Sequence, residues 1–173
     1  GFKKYNASQI IDWVYKKKTN DFDKMTNLSS KLIEFCKQTF IISDLKLVKK
    51  QTSKLANKYL LELDDNNKIE CVLMFHDYGN SLCISTQVGC NMGCKFCESG
   101  RLKKVRNLET YEMVQQILYI EKDIGERISH VVLMGIGEPL DNYKNVMNFI
   151  KIINYPKGIA IGARHITLST CGI

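Results

Sequence analysis

The stretch SLCISTQVGCNMGCKFC, residues 81–97, leads from a short apolar segment into a loop with three closely spaced cysteines. Its first part, SLCIST, is typical of a short buried strand. The residues that follow show little periodicity, and they contain Cys90, Cys94 and Cys97. The stretch therefore predicts a strand whose carboxyl end opens directly into a cysteine-bearing loop.

The chain beyond this loop repeats an order of helix and strand. An apolar stripe predicts a helix that ends at Gly125, and its members are Met113, Ile117, Ile120 and Ile124. The segments HVVLMG (130–135) and HITLST (165–170) are typical of buried strands. The stripe of a second helix between them consists of Val146, Phe149, Ile150 and Ile153. This alternation predicts an α/β fold with parallel strands and right-handed crossovers, in which the loops after the strands hold the chemistry.

The first part of the chain has a different pattern. Apolar residues at helical spacing predict helices, the first capped at Asn6 and the second with Cys36 in its core stripe. Further on the period changes to two, which predicts a hairpin that turns at residues 64–67. We therefore divide the chain into a small helical domain, a hairpin connection and an α/β unit, which comprise residues 1–52, 53–79 and 80–173.

The composition is that of a globular protein, because 45% of the 173 residues are hydrophobic and 25% are charged. No run approaches the roughly 20 apolar residues that span a bilayer, so no membrane segment is expected. An odd count of seven cysteines without an export signal favours a reducing, cytoplasmic location over a disulfide scaffold. Because the chain begins with Gly1 rather than Met, we expect a piece of a longer protein.

The charge balance favours a polyanionic partner. Lysine and arginine exceed aspartate and glutamate by 25 to 18, a net charge of +7, and this raises the expectation of nucleic-acid binding. The segment GRLKKVRN directly follows the cysteines. Its cations are candidate phosphate contacts, namely Arg101, Lys103, Lys104 and Arg106.

Three cysteines at this spacing are open to more than one interpretation. A structural zinc site needs four ligands, usually as two separated pairs, and the sequence has no second pair; Cys83 or Cys171 would have to supply the fourth sulfur. A catalytic zinc site with three protein ligands and a water molecule is a further alternative. A cluster of four irons and four sulfides held by three thiolates leaves one iron open for chemistry. Gly89 and Gly93 suit a loop that approaches such a cluster closely, and Phe96 is placed to shield it from water.

The cysteine spacing, with an aromatic residue before the last cysteine, resembles the signature of the radical S-adenosylmethionine (SAM) superfamily. MGIGEP, residues 134–139, resembles its glycine-rich SAM-binding loop. Together with RNL, ITLSTCG and the opening helical segment, these motifs resemble the dual-specificity ribosomal and transfer RNA methyltransferases. The resemblance implies a partial (β/α) TIM-like barrel of radical SAM type, with about three of the six strands of the family, after a helical, RNA-binding accessory domain.

The resemblance also implies roles for single residues. Cys90, Cys94 and Cys97 match the ligands of a [4Fe-4S] cluster. Three further residues match SAM contacts, namely Gly137, Glu138 and Ser169. Glu70 matches the proton acceptor, and Cys83 matches a thiol that pairs transiently in a disulfide with a methyl-accepting cysteine, which lies outside this chain.

The activity that the resemblance implies is methylation of C2 of adenosine in 23S rRNA and in tRNA through a methyl-cysteine. The implied cofactors are SAM and the [4Fe-4S] cluster, and the implied partners are the two RNAs and an electron donor such as flavodoxin or ferredoxin. Methylation of C8, as in the antibiotic-resistance relatives, is the nearest alternative. A radical SAM enzyme with a substrate other than RNA and a zinc-stabilised RNA-binding module are the others.

Overall fold

The computed structural model describes residues 2–173 of the chain. Its α-helices are α1 (Lys4–Ile11), α2 (Ser30–Thr39), α3 (Thr110–Ile124) and α4 (Tyr143–Asn154). The first four strands are β1 (Lys46–Thr52), β2 (Ala56–Glu62), β3 (Lys68–Met74) and β4 (Asn80–Cys83). The others are β5 (Gln87–Val88), β6 (Arg106–Asn107), β7 (Ile128–Leu133) and β8 (Ile166–Leu168).

Six of the strands form one sheet in the order β1-β2-β3-β4-β7-β8. The pairs from β1 to β4 are antiparallel, whereas β4, β7 and β8 run parallel to one another. Helices α3 and α4 lie in the crossovers between the parallel strands. The α/β class and the three parallel strands of the prediction are therefore confirmed, and the predicted hairpin is continuous with the same sheet.

The hairpin of β2 and β3 shows how the sequence assigns the two faces of the sheet. Its strands pair from Ala56 with Met74 to Glu62 with Lys68, and they turn at the predicted polar cluster. Successive strand residues point to opposite faces. One face is fully buried and includes Tyr59, Leu61, Ile69, Cys71 and Leu73, whereas the other face carries Lys58 and Glu70 and is half-open.

Helices α3 and α4 cover the buried face. Met113, Ile117 and Ile120 from α3 join Val146, Phe149 and Ile153 from α4 in one hydrophobic cluster with the strands. This is the pair of stripes that the sequence predicts. Gly125 ends α3 in the left-handed conformation with φ +70°, as expected for a helix that stops at a glycine.

The N-terminal helices have a small core of their own. Met25, Leu28, Leu32 and Cys36 are buried together, and Trp13 packs against them. The Cys36 thiol is fully buried, and burial raises its pKa. The assignment of Cys36 to the core is confirmed.

Two details of the N-terminal prediction are wrong. Helix α1 begins at Lys4 rather than after Asn6, because the Asn6 side chain accepts a hydrogen bond from the backbone N–H of Lys3 at 3.1 Å from within the helix. The last residues of the predicted helical segment, 46–52, form strand β1. This strand is an edge strand with mostly exposed side chains, so it has no apolar alternation from which it could be predicted.

Across residues 2–173, no helix combines the length and the apolar character that crossing a membrane requires.

Gly125→Ala is expected to lower the free energy of unfolding by about 1–2 kcal/mol, because an L-residue pays that cost in the left-handed region. Added bulk is not the reason, since a Cβ at this position would meet no atom within 4 Å. Denaturant unfolding measures the change. The matched control is Gly162→Ala, which is equally unobstructed but has φ −64°; it should be neutral or slightly stabilising. Equal effects of the two changes would contradict the conformational argument.

Candidate active site

The three loops that follow β4, β7 and β8 meet at one edge of the sheet. Parallel strands bring their carboxyl ends to the same edge. Gly135, in the loop after β7, donates its N–H to the Ile84 carbonyl just after β4 (3.0 Å). In the loop after β8, the Cys171 N–H donates to the Glu138 carboxylate (2.8 Å). The cysteine loop, the glycine-rich loop and the end of β8 thus form one contiguous candidate site.

The cysteine loop is closed at its base by the short pair β5 and β6. Gly89 stands at this neck with φ +74°, and a Cβ there would collide with the backbone of Lys103. Within the loop, the Cys97 N–H donates to the Cys94 carbonyl (3.0 Å), and the Cys90 N–H donates to the Leu102 carbonyl (2.8 Å). The loop is therefore held by its backbone, and its cysteine side chains are left for another use.

The donor set suits a cluster with three protein ligands. Cys90, Cys94 and Cys97 are free, half-buried thiols on a single loop, and thiolates are the usual ligands of iron–sulfur clusters. Their chemistry fits, but the loop does not hold the three thiols together, because among residues 2–173 no three His, Cys, Asp or Glu side chains are grouped closely enough to bind one metal ion. Phe96, expected to shield a cluster, is 95% exposed.

The glycine-rich loop approaches the first loop too closely for side chains at two positions. A Cβ at Gly135 would lie 2.5 Å from the Ile84 carbonyl oxygen, and one at Gly137, where φ is +113°, would lie 2.7 Å from the Thr86 hydroxyl oxygen. That Thr86 oxygen is buried and has no hydrogen-bond partner among the described residues. Both glycines are therefore required for the two loops to meet.

Glu138 is the buried anion of the site, with 4% of its surface exposed. Its carboxylate accepts hydrogen bonds from the Cys171 N–H (2.8 Å), the Leu140 N–H (2.9 Å) and the Thr170 hydroxyl (2.7 Å). Burial acts to raise the pKa of Glu138, but these donors outweigh it, so the pKa lies below its ordinary value. Glu138 thereby holds the segment after β8 against the loop after β7.

Gln87 joins the glycine-rich loop to the neck of the cysteine loop. Its side-chain oxygen accepts from the Glu138 N–H (2.8 Å), and its amide nitrogen donates to Asp141 (2.9 Å) and Asn107 (2.8 Å). Asp141 also forms an ion pair with Lys104 (2.6 Å). The hydrogen bond from Lys104 is the main cause of the lowered pKa of Asp141.

Ser85 joins three further segments. Its hydroxyl donates to the Glu70 carbonyl on β3 (2.6 Å) and accepts from the Ile136 N–H (3.1 Å). Its own backbone exchanges two hydrogen bonds with the side chain of Gln116 on α3, at 2.9 and 3.0 Å. Ser85 and Gln116 are both fully buried. Neither residue was predicted to belong to the site, because a serine at a strand end and a glutamine on a helix have no distinctive spacing.

A cavity of about 190 Å³ lies beside these loops on the half-open face of the sheet. Glu70 and Cys83, the two residues with implied catalytic roles, both line it, together with Lys58 and residues 134–136. Lys58 Nζ lies 2.8 Å from a carboxylate oxygen of Glu70. Desolvation raises the pKa of the Cys83 thiol, although a hydrogen bond with the Met134 backbone opposes this.

The remaining predicted residues lie at the margin of the site. Ser169 is exposed, and its N–H donates to the Leu133 carbonyl at 3.4 Å. Cys171, one of the two possible fourth sulfurs, is exposed and lies beyond β8. The irregular backbone after β8 carries it out of the sheet.

The basic segment is only partly free to contact phosphate. Arg106 forms ion pairs with Glu112 (2.7 Å) and Asp65 (2.7 Å), and both partners raise its pKa. Lys104 is bound to Asp141. Lys103 is exposed, and Arg101 is exposed although it pairs with Glu98 at 3.3 Å. These two residues remain the candidate phosphate contacts of this segment.

The three histidines, scattered in the sequence, lie together but away from the cysteines. The rings of His130 and His165 stack at 4.3 Å, while Tyr78 stacks on His76 and meets His130 edge-on. These rings lie toward the amino ends of β7 and β8, opposite the three loops. The histidines therefore contribute no ligand to the cysteine loop.

Glu138→Gln is expected to remove a pH-dependent part of the stability. The folded pKa of Glu138 lies below its ordinary value of 4.5, so its contribution is present above pH 4.5 and is lost as the pH falls through the folded pKa. Unfolding experiments from pH 7 to pH 3 measure this dependence. The control is Glu98→Gln, at a carboxylate that is 83% exposed. An unchanged pH dependence in Glu138→Gln would contradict the role of the buried anion.

Two family models match the chain. The first, ribosomal RNA large subunit methyltransferase N-terminal domain, matches residues 1–42, and the second, radical SAM superfamily, matches residues 84–173. Among curated relatives, the chain is 54% identical to the probable dual-specificity RNA methyltransferase RlmN of Spiroplasma citri and 52% identical to that of Acholeplasma laidlawii. Both alignments cover 100% of this chain but only 51% and 52% of the relatives. The chain thus spans about half the length of the curated relatives it matches.

A solved structure agrees with these matches. The crystal structure of a radical SAM methyltransferase from Sphaerobacter thermophilus has a TM-score of 0.88 and 35% sequence identity, and the match covers 98% of this chain and 51% of that one. The predicted fold, a partial barrel of radical SAM type, is confirmed. From its sequence motifs, its cysteine loop and these likenesses, the chain belongs to the radical SAM superfamily.

Proposed function

We propose that this chain is part of a radical SAM RNA methyltransferase that methylates C2 of adenosine in 23S rRNA and in tRNA. The observation that carries the proposal is the junction of the cysteine loop and the glycine-rich loop through Gln87 and Glu138. This junction stands at the carboxyl edge of the sheet. Curated relatives that align with the whole of this chain are named probable dual-specificity RNA methyltransferases.

In this proposal, Cys90, Cys94 and Cys97 hold a [4Fe-4S] cluster, and Gly137, Glu138 and Ser169 contact SAM. The bound cluster and SAM supply a radical that activates a methyl group for addition to an unreactive ring carbon. Three free thiols on one loop support the cluster assignment. Glu138 already has three donors, so we expect it to shape the SAM site and to share its carboxylate with the amino group of the ligand.

Glu70 and Cys83 are proposed to complete the reaction. The carboxylate of Glu70 would take the proton from the ring carbon. The thiolate of Cys83 would then attack the sulfur of the methyl-accepting cysteine, so that a disulfide forms while the bond from this sulfur to the transferred carbon breaks; that carbon keeps the electron pair and takes a proton to become the methyl group. Their shared cavity supports these roles, because both side chains reach one space beside the glycine-rich loop.

The partners follow from the same proposal. The substrates would be 23S rRNA and tRNA, contacted in part by Arg101, Lys103 and the helical N-terminal unit. A one-electron donor such as flavodoxin or ferredoxin would reduce the cluster in the cytoplasm, where free thiols persist. We favour C2 over C8 because the relatives that align with the whole chain are named as the dual-specificity branch.

Anaerobic reconstitution of the full-length protein with iron and sulfide is expected to give a brown protein with about four irons, which cleaves SAM under reductant and methylates undermodified rRNA and tRNA at C2. Alanine at Cys90, Cys94 or Cys97 should abolish iron binding, as measured by metal analysis and visible absorption. Mass spectrometry of the RNA nucleosides distinguishes C2 from C8.

The matched control is Cys171→Ser, an exposed thiol in the same region, which should leave the iron content unchanged. Loss of metal in this variant would make Cys171 a fourth ligand and favour the zinc interpretation. A colourless, zinc-loaded protein without SAM cleavage would overturn the proposal. Methylation at C8 would overturn only the choice of ring carbon, and SAM cleavage without RNA methylation would overturn only the substrate.

A further inference from the structure

We infer that Lys58 is a positioning residue for Glu70, holding its carboxylate in the orientation required to take a proton from the substrate. This inference rests on the proposed function, because it deepens the role of Glu70 in the same site. Three observations carry it: a direct contact, a strand register that enforces the contact, and the composition of the cavity that both residues line.

The contact is an ion pair between Lys58 Nζ and Oε2 of Glu70 at 2.8 Å. No hydrogen bond from the described residues reaches the other carboxylate oxygen, Oε1, and the short contact is to Oε2. A carboxylate bound through one oxygen keeps the other available as a proton acceptor. The ion pair therefore holds the Glu70 carboxylate and leaves Oε1 available to accept a proton.

The strand register makes the pairing specific. In the hairpin, Lys58 lies opposite Val72 and Glu70 lies opposite Leu60, so Lys58 and Glu70 are diagonal neighbours on the same face. Long side chains reach each other at this diagonal spacing. The backbone of Glu70 is fixed in turn by the hydroxyl of Ser85, which donates to its carbonyl at 2.6 Å. Glu70 is thus held at both its backbone and its side chain.

The residues that line the cavity support a role for Lys58 toward Glu70. Of the nine described residues that line the cavity, Lys58 is the one lysine or arginine and Glu70 the one aspartate or glutamate. The pair is half-exposed, with side-chain exposures of 45% and 40%, and ion pairs of this kind contribute little to folding stability. Stability alone therefore does not account for a lysine aimed at the one carboxylate of the cavity.

The chemical step that Lys58 supports is a proton transfer. The C–H bond at the reacting ring carbon breaks, its electron pair stays in the ring, and the proton moves to Oε1 of Glu70. The transfer depends on the placement of Oε1, and a displacement of about 1 Å in a reacting group costs as much as 10²-fold in rate. Lys58 contacts neither proton nor ring in this scheme and acts only through Glu70.

The first test compares Lys58→Met with Lys58→Arg in the full-length, cluster-loaded protein. Lys58→Met is expected to lower the ratio of methylated RNA to 5′-deoxyadenosine by about tenfold to 10²-fold, because radical formation continues while proton removal slows. Lys58→Arg keeps the charge and should restore most of the ratio. A merely structural role would lower both products together and leave their ratio unchanged.

A double-mutant comparison and a matched control sharpen this test. Glu70→Gln is expected to lower the ratio by about 10²- to 10⁴-fold, and adding Lys58→Met should cause no further loss, since the two residues act as one unit. Lys68→Met removes a lysine near Glu62 on the same hairpin (4.0 Å) and should leave the ratio unchanged. The inference would be overturned if the losses of Lys58→Met and Glu70→Gln multiplied in the double variant. It would also be overturned if Lys58→Met and Lys68→Met had equal effects.

A second measurement tests the contact without any activity. Acylation of lysines in the protein without cofactors, followed by mass spectrometry, should show that Glu70→Gln increases the reactivity of Lys58 several-fold relative to Lys68. Unchanged labelling of Lys58 would overturn the contact. A wild-type protein that forms neither 5′-deoxyadenosine nor methylated RNA would instead overturn the proposed function, while the labelling result still decides whether Lys58 holds Glu70.

Discussion

The hydroxyl group of Ser85 is the contact on which the arrangement of the site depends. It donates to the Glu70 carbonyl and accepts from the Ile136 N–H, in a position that is fully buried. Leaving a buried polar group without its hydrogen-bond partner costs about 1–3 kcal/mol of folding free energy. The folded state therefore favours both hydrogen bonds of the Ser85 hydroxyl at once. They fix the carboxylate-bearing strand, the start of the cysteine loop and the glycine-rich loop in one relative placement. The cavity with Glu70, Lys58 and Cys83 is a consequence of that placement.

A second constraint acts at the other side of the glycine-rich loop, where the anion of Glu138 binds the residues after β8. Three donors converge on one buried carboxylate, and hydrogen bonds to a charged group are stronger than those between neutral groups. Short strands such as β8, with three residues, offer few ladder bonds. The carboxylate compensates for this shortage, and it also places Thr170 and Cys171 beside the cysteine loop.

The features that the sequence predicts correctly are those in which a residue type or a spacing has one physical meaning. The stripes of α3 and α4 were predictable from periodicity, whereas the glycine that ends α3 and the polar turn of the hairpin were predictable from residue type. The edge strand β1 was not, because its exposed lysines give no alternation. Among site residues, the cysteines and the glycine–glutamate pair are visible as motifs. Gln87 and Lys58 are not, since their roles arise from partners 51 and 12 positions away in the chain. The alternation of β2 and β3 does place Lys58 and Glu70 on the same face, which is the one signal that the sequence offers for their pairing.

The two edge strands of the main sheet differ in charge. The edge at β1 carries Lys46, Lys49 and Lys50, and charged side chains on an edge strand discourage association with other strands. The edge at β8 is Ile166, Thr167 and Leu168, without a charge, and its outward backbone groups have no strand beside them in the described sheet. The uncharged edge at β8 therefore accepts a further strand more readily than the lysine-bearing edge at β1.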